Sequence, residues 1–159
     1  MATVRRAATA ALAAAARDGS GLELSVLLAD DDAVRALNHR FRGKDRPTNV
    51  LSFPVGNDGP VMAGGEPRPL GDVVLAYETV AGEAIEQHKA MHHHVSHLVI
   101  HGILHLLGYD HDNDDDADQM EACETTALAA IGMPDPYRPQ QEEALTPPPG
   151  RVYADDGNI

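Results

Sequence analysis

Three histidines in the second half of the chain have the spacing of a metal site. His101, His105 and His111 stand in the pattern H-x-x-x-H-x-x-G-x-x-H, in which Gly108 is the glycine. On a helix, residues four apart lie on one face, so His101 and His105 can bind the same ion. Gly108 permits a left-handed turn that ends the helix and brings His111 back to the site. Because three protein ligands leave a fourth position open, the pattern predicts one catalytic zinc ion.

Further histidines surround these three, and not all of them can be ligands. His97 lies on the same helical stripe and is the alternative to His111 as the third ligand. However, residues eight apart are separated by about 12 Å along a helix, too far for one ion with ligand bonds of about 2 Å. We therefore favour His111 and expect His97 in the wall of the site. The consecutive histidines 92–94 point in different directions, so we expect them on a solvated helix surface.

The residue after the first histidine argues against peptide hydrolysis. In the metzincin protease motif, H-E-x-x-H-x-x-G-x-x-H, a glutamate at this position serves as the general base. This chain has Gly102 instead, which cannot accept a proton. A water bound to zinc has a pKa of about 7, so its attack on a phosphodiester does not need that glutamate. The motif therefore favours phosphodiester hydrolysis.

A basic segment in the first half of the chain is suited to bind phosphate. From Arg35 to Arg46 there are five basic residues against one acid, a local charge of +4, although the whole chain has a formal net charge of −13. A guanidinium group pairs well with the charge that develops on phosphate oxygens. Arg40, Arg42 and Arg46 are the candidates for this role.

The elements that must position these residues form an α+β fold, with a small mixed sheet packed by helices. We expect the end of the first strand to be fully buried and residues 40–48 and 56–69 to be loops. A single domain over residues 1–137 is expected, followed by a disordered proline-rich tail over 138–159. The patterns predict strands over 22–29, 50–55 and 70–76 and helices over 2–17, from Asp30 or Asp31 to about His39, and over 79–87, 92–107 and 114–131.

The composition is that of one cytoplasmic domain. A length of 159 residues with 43% hydrophobic content suffices for one core. No stretch approaches the roughly 18 to 20 apolar residues of a membrane span, and the alanine-rich start is expected to be a first helix rather than a signal peptide. The single cysteine, Cys123, cannot form an intramolecular disulfide and is expected to pack in the core.

Three segments resemble the YbeY family of bacterial rRNA maturation factors. They are the histidine motif over 101–111, the segment NHRFRGKDRPTNVLSFP over 38–54, and LGDVV over 70–74. They stand in the order found in the family, and the resemblance extends over about residues 22–137.

This resemblance implies an α+β fold that is metalloprotease-like around the metal. It implies one zinc ion on His101, His105 and His111, and a functional role for Arg42. The implied activity is that of a single-strand-specific endoribonuclease that matures the 3′ end of 16S rRNA and takes part in late-stage ribosome quality control. The implied partners are single-stranded rRNA, the small ribosomal subunit with a ribosomal protein on it, and the Era GTPase, with no membrane.

Two other functions stay open at this point. One is a ribosome assembly or binding factor whose metal is structural, and the other is a metalloprotease whose base lies elsewhere. The metal also stays open, because three imidazoles suit nickel, copper or iron as well as zinc. Asp72 and Asp110 are candidates for an outer layer that orients the ligands.

Overall fold

The structure, a computed structural model, describes residues 1–56 and 67–138. Five helices and three strands lie in these ranges. Part of the predicted 56–69 loop and nearly all of the predicted tail lie outside the described residues. The elements are α1 (Ala2–Ala14), β1 (Leu22–Ala29), α2 (Asp31–Arg42), β2 (Val50–Pro54), β3 (Arg68–Ala76), α3 (Tyr77–Glu86), α4 (Met91–Leu106) and α5 (Asp114–Ala130).

The predicted α+β class with a small mixed sheet is confirmed. The described strands form one sheet in the order β1-β3-β2, in which β3 is parallel to β1 and antiparallel to β2. Helices cover both faces of this sheet. On one face α4 lies against β2 and β3 and is itself covered by α1 and α5, and on the other face lies α2. The layers therefore place α4, which carries the histidine motif, at the centre of the molecule.

The core is aliphatic, as the scarcity of aromatic residues requires. Val73 and Leu75 of β3 face α4, where they meet Val99, Ile100 and Ile103. Cys123 packs at the edge of this core, as expected. No helix within the two described ranges is long and apolar enough to cross a membrane.

The prediction that β1 is fully buried toward its end is wrong. Leu27 is 55% exposed and Leu28 is 51% exposed. The reason is that β1 is an edge strand of the sheet formed by the described residues, and it is covered only in part on either face. A run of apolar residues indicates a strand, but it does not show which of its neighbours cover it.

The helix α2 is longer than predicted, which changes the setting of the basic segment. Asp30 caps its first turn by accepting a hydrogen bond from the Ala33 amide at 2.7 Å. The helix continues through Arg42 and ends at Gly43, which has a left-handed φ of 69°. The prediction that Arg40 and Arg42 lie in a loop is therefore wrong. Both lie in the last turn of α2, where their positive charges interact favourably with the negative end of the helix dipole.

Candidate metal centre

The structure brings the three predicted ligands together. His101 and His105 lie one turn apart on α4, and Gly108, with φ of 96°, turns the chain after the helix so that His111 returns to them. One ring nitrogen from each of the three histidines lies within 4.8 Å of the others. The ring centroid of His105 is 4.6 Å from that of His101 and 5.1 Å from that of His111.

The hydrogen bonds of the far ring nitrogens indicate which atoms face the site. His101 donates from Nδ1 to Glu124 at 2.5 Å, and His105 donates from Nδ1 to the Tyr109 carbonyl at 3.0 Å. Because a neutral imidazole carries one proton, each Nε2 is left with a lone pair. These two Nε2 atoms are 3.1 Å apart. Two lone pairs this close repel unless a proton or a metal cation lies between them, and the three converging ring nitrogens fit a metal ion.

The environment of His105 also favours metal binding. Burial lowers the pKa of His105, and the nearby His101 and His111 lower it further, against smaller opposing effects of the Tyr109 carbonyl and Asp110. A lower pKa keeps the ring neutral at physiological pH. A neutral ring is the form that binds a metal.

Glu124 of α5 is the main contact that the sequence did not predict. Its side chain is 1% exposed, and its carboxylate accepts hydrogen bonds from His101, from His97 Nε2 at 2.9 Å and from the Tyr137 hydroxyl. Burial acts to raise the pKa of this carboxyl, but the hydrogen bonds from His101, His97 and Tyr137 outweigh it and lower the pKa from 4.5 to about 2. Glu124 is therefore an anion at neutral pH that fixes the ring of His101.

One sequence signal for Glu124 existed. Met120, Glu124 and Leu128 are spaced four apart on α5, and all three are buried. An acid in an apolar stripe is a group that must find partners in the interior. The partner, however, lies on another helix, so the stripe alone does not indicate what Glu124 binds.

The surrounding histidines differ in their settings. His97 lies in the wall of the site, bonded to Glu124, as expected. The prediction that histidines 92–94 are solvated is wrong for His94, which is 4% exposed and bonds through Nε2 to Glu83 at 2.7 Å. His94 lies one turn before Leu98 on the buried side of α4, which is why it turns inward.

The two aspartates proposed for an outer layer are not hydrogen-bonded to the ligand rings. Asp110 accepts a hydrogen bond from the backbone amide of His111 at 2.8 Å and so shapes the loop that carries this ligand. Asp72 lies on β3 beside Phe53, on the face of the sheet opposite α4. The orienting contacts come instead from Glu124 and the Tyr109 carbonyl.

Arg42 lies in a separate polar cavity of about 260 Å³. Lys44, Arg46, Asn49 and Glu83 also line this cavity, and none of the three clustered histidines does. Glu83 connects the cavity to α4 by accepting a hydrogen bond from His94. His94 and His101 are seven residues apart, or about 10 Å along the helix axis. The catalytic role of Arg42 stays a prediction.

Gly102 provides no side chain that could act as a base, and the close packing around it disfavours a larger residue. A Cβ atom at this position would lie 2.8 Å from Cγ1 of Val73 and 3.1 Å from Oγ of Ser52. Ser52 also donates a hydrogen bond to the Gly102 carbonyl at 2.9 Å. The position faces the sheet, so a glutamate does not fit there without movement of the strands.

Comparison with known proteins agrees with this geometry. The sequence model of the family "Endoribonuclease YbeY" matches residues 1–132. The chain belongs to the YbeY endoribonuclease family. Curated YbeY endoribonucleases include that of Bradyrhizobium diazoefficiens, 52% identical over 86% of this chain and 75% of the relative. That of Paramagnetospirillum magneticum is 55% identical over 85% of this chain and 83% of the relative. Membership in the YbeY family supports an endoribonuclease role.

A solved structure shows the same fold. The solution structure of a Thermotoga maritima protein aligns with a TM-score of 0.52 at 23% identity, over 86% of this chain and 92% of that chain. At this identity the likeness concerns the fold alone. The predicted family is confirmed, and a hydrolase of RNA is favoured over the two other functions considered above.

Proposed function

We propose that this chain is a zinc-dependent, single-strand-specific endoribonuclease that matures the 3′ end of 16S rRNA and acts in late-stage ribosome quality control. The observation that carries the metal dependence is the pair of Nε2 atoms of His101 and His105, 3.1 Å apart with their protons held on the opposite side of each ring. The proposed partners are the small ribosomal subunit with one of its proteins and the Era GTPase. This work takes place in the cytoplasm.

His101, His105 and His111 hold the ion in this proposal. When bound, zinc supplies a Lewis acid that lowers the pKa of water and polarises a phosphate oxygen. Glu124 keeps the proton of His101 on Nδ1, so that Nε2 stays free toward the site. The Tyr109 carbonyl does the same for His105. Both contacts fix the rings before any ligand arrives.

Arg42 positions the RNA strand in this proposal. Its guanidinium group pairs with a backbone phosphate, and Lys44 and Arg46 add positive charge to the same cavity. Because the cavity lies beside the earlier turns of α4, Arg42 holds the strand at a distance from the histidines. The strand then extends along α4 to the metal centre.

The test is the loss of one ligand. His105→Ala is expected to lose zinc and to reduce cleavage of single-stranded RNA by more than about a hundredfold, the upper end of the effect for an outer-layer partner. His92→Ala, an exposed histidine on the same helix, is the matched control and is expected to keep both properties. Metal content by elemental analysis and cleavage are measured on the same samples.

The outcome separates this proposal from a ribosome assembly factor with a structural metal. If His105→Ala unfolds and the parent protein cleaves no RNA, the metal is structural and the nuclease proposal is wrong. If the folded variant cleaves RNA as fast as the parent, the activity lies at another site.

A further inference from the structure

Among the described residues, none covers part of the sheet surface beside α2. The helix covers Val34, Leu51 and Val74, which form a small second core. Beyond this contact lies a groove of about 830 Å³, within the range of small-molecule sites. We call it the phenylalanine groove. Its principal lining residues are Leu27, Leu37, Phe41, Phe53, Asp72 and Val74.

Both phenylalanines of the chain lie in this groove. The protein has two phenylalanines and no tryptophan, and its main core is aliphatic. Phe41 is 58% exposed and meets Phe53 edge to face, with ring centroids 5.2 Å apart. Folding alone does not explain an exposed aromatic pair in a chain with so few aromatic residues. An accessible π-face beside an open groove is a surface on which a flat ligand can stack.

Positive charge lies directly beside this aromatic pair. The guanidinium carbon of Arg40 is 5.3 Å from the ring centroid of Phe41, and Arg42 follows in the same helical turn. Neither arginine forms an ion pair with any residue in the described parts of the chain. Exposed aromatic rings next to unpaired arginines are the combination that binds single-stranded nucleic acid, in which bases stack on the rings and phosphates pair with the cations.

We infer that the phenylalanine groove binds an unpaired nucleobase of the RNA substrate, which stacks on the exposed ring of Phe41 and contacts the neighbouring Phe53. This inference rests on the proposed function and adds a base-binding subsite to it. Asp72 lies opposite Phe53 across the β2–β3 pair. Its carboxylate can accept hydrogen bonds from the amino group of a base, and it repels phosphate. Asp72 therefore favours a base in the groove and leaves the backbone to Arg40 and Arg42.

The groove is close enough to the metal centre to serve the same strand. Ser52 bonds to the carbonyl of Gly102, which follows the ligand His101. The next residue, Phe53, faces the groove on the other side of β2. Because β2 is an edge strand among the described elements, an RNA strand that passes around this edge reaches both sites.

The net charge of the chain favours a binding contribution to RNA that does not depend on charge. At a formal charge of −13, the protein repels RNA outside the local basic segment. Base stacking does not depend on net charge and contributes a separate attraction. A groove for a protein partner would also explain the exposed apolar area, but the position of Arg40 beside Phe41 favours a ligand that carries both bases and phosphate.

The experiment compares RNA with and without bases. Binding of the full chain to a short fluorescent single-stranded RNA, and to an abasic strand of equal charge, is measured by anisotropy with EDTA present to prevent cleavage. The parent protein is expected to bind the abasic strand on the order of tenfold more weakly. Phe41→Leu is expected to lose this preference, while Phe41→Tyr keeps it. Ile85→Ala, an exposed apolar residue on α3, is the matched control.

The metal-loaded enzyme provides the second measurement. Phe41→Leu is expected to raise KM for single-stranded RNA by about tenfold with kcat nearly unchanged, since the ring lies away from the ligands. Thermal unfolding of each variant verifies the fold.

Equal binding of the normal and abasic strands by the parent, with RNA cleavage intact, would overturn the inference of a base-binding groove but not the proposed nuclease function. A Phe41→Leu defect seen on ribosomal subunits but not on free RNA would assign the groove to a protein and also overturn the inference. Absence of any RNA cleavage by the parent would instead remove the proposed function.

Discussion

The two ends of α4 use the same contact for different purposes. Near its start, Glu83 accepts a hydrogen bond from His94, and near its end, Glu124 accepts one from His101. The difference lies in the second ring nitrogen. In His94 the second nitrogen, Nδ1, is buried without a hydrogen-bond partner among the described residues, whereas in His101 the second nitrogen, Nε2, lies 3.1 Å from Nε2 of His105. A hydrogen bond from a histidine to a glutamate therefore does not identify that histidine as a candidate metal ligand. The distinguishing feature is a second ring nitrogen that is directed at the nitrogens of other candidate ligands.

The largest expected effect concerns the start of α4, where Glu83 connects the helix to the cavity of Arg42. Arg42→Ala is expected to slow cleavage of single-stranded RNA by about 100-fold, the scale for a substrate that is misplaced when a distant positioning group is lost. Its zinc content is expected to stay at the level of the parent, because the cavity of Arg42 contains none of the three ligands. Elemental analysis and cleavage rates measure the two properties.

The exposed Arg5→Ala on α1 is the control for a general loss of positive charge. If Arg42→Ala also loses zinc, the two ends of α4 are not independent, and the comparison fails.

The next effect is acid sensitivity at the Glu124 end. The pKa of Glu124 in the folded protein, about 2, lies below its ordinary value of 4.5. The charged carboxylate therefore stabilises the fold above pH 4.5, and this contribution, about 3 kcal/mol, is lost as the pH falls from 4.5 toward 2.

Urea unfolding of the metal-free parent and of Glu124→Gln across this pH range measures it. The difference in unfolding free energy between the two proteins is expected to shrink as the pH falls. A constant difference would show that the hydrogen bonds of Glu124 do not depend on its charge.

The smallest effect separates the two glutamates by metal affinity. Glu124→Gln is expected to weaken zinc binding by about 10- to 100-fold, because His97 and His101 donate to different carboxylate oxygens and glutamine replaces one of these acceptors with an NH2 donor. Glu83→Gln makes the same change at the other end of α4 and is expected to leave zinc affinity within about twofold of the parent. Competition with a chromophoric chelator measures the affinities.

Metal-free unfolding shows whether each variant is folded. Equal losses of affinity in the two variants would mean that both act through stability, and the distinction between the two ends would be lost.

The sequence predicted the elements well because their signals are local. The strand 22–29 was predicted at its observed bounds, and α4 and α5 at nearly theirs, from hydrophobic periodicity. The histidine triad could be predicted because its spacing is set by one helix and one glycine turn. Exposure was predicted less well. Leu27 and His94 were assigned to the wrong environments, because burial depends on which elements cover a residue.

Contacts between distant elements were the part that sequence reasoning missed. Glu124 meets His101 across 23 positions, and Glu83 meets His94 across 11. Nothing in the local pattern around either glutamate indicates its partner. The setting of Arg42 was missed for a similar reason, since its cavity is completed by Asn49 and Glu83 from other elements.

The packing of Gly102 has an evolutionary consequence. A single codon change from glycine to glutamate would complete the protease motif, but the new side chain would meet Val73 and Ser52 before it could act as a base. A lineage that began with this chain would need smaller residues on β2 and β3 first, and those changes would leave a void beneath α4. Drift of this nuclease toward peptide hydrolysis is therefore opposed at each intermediate sequence by a loss of stability.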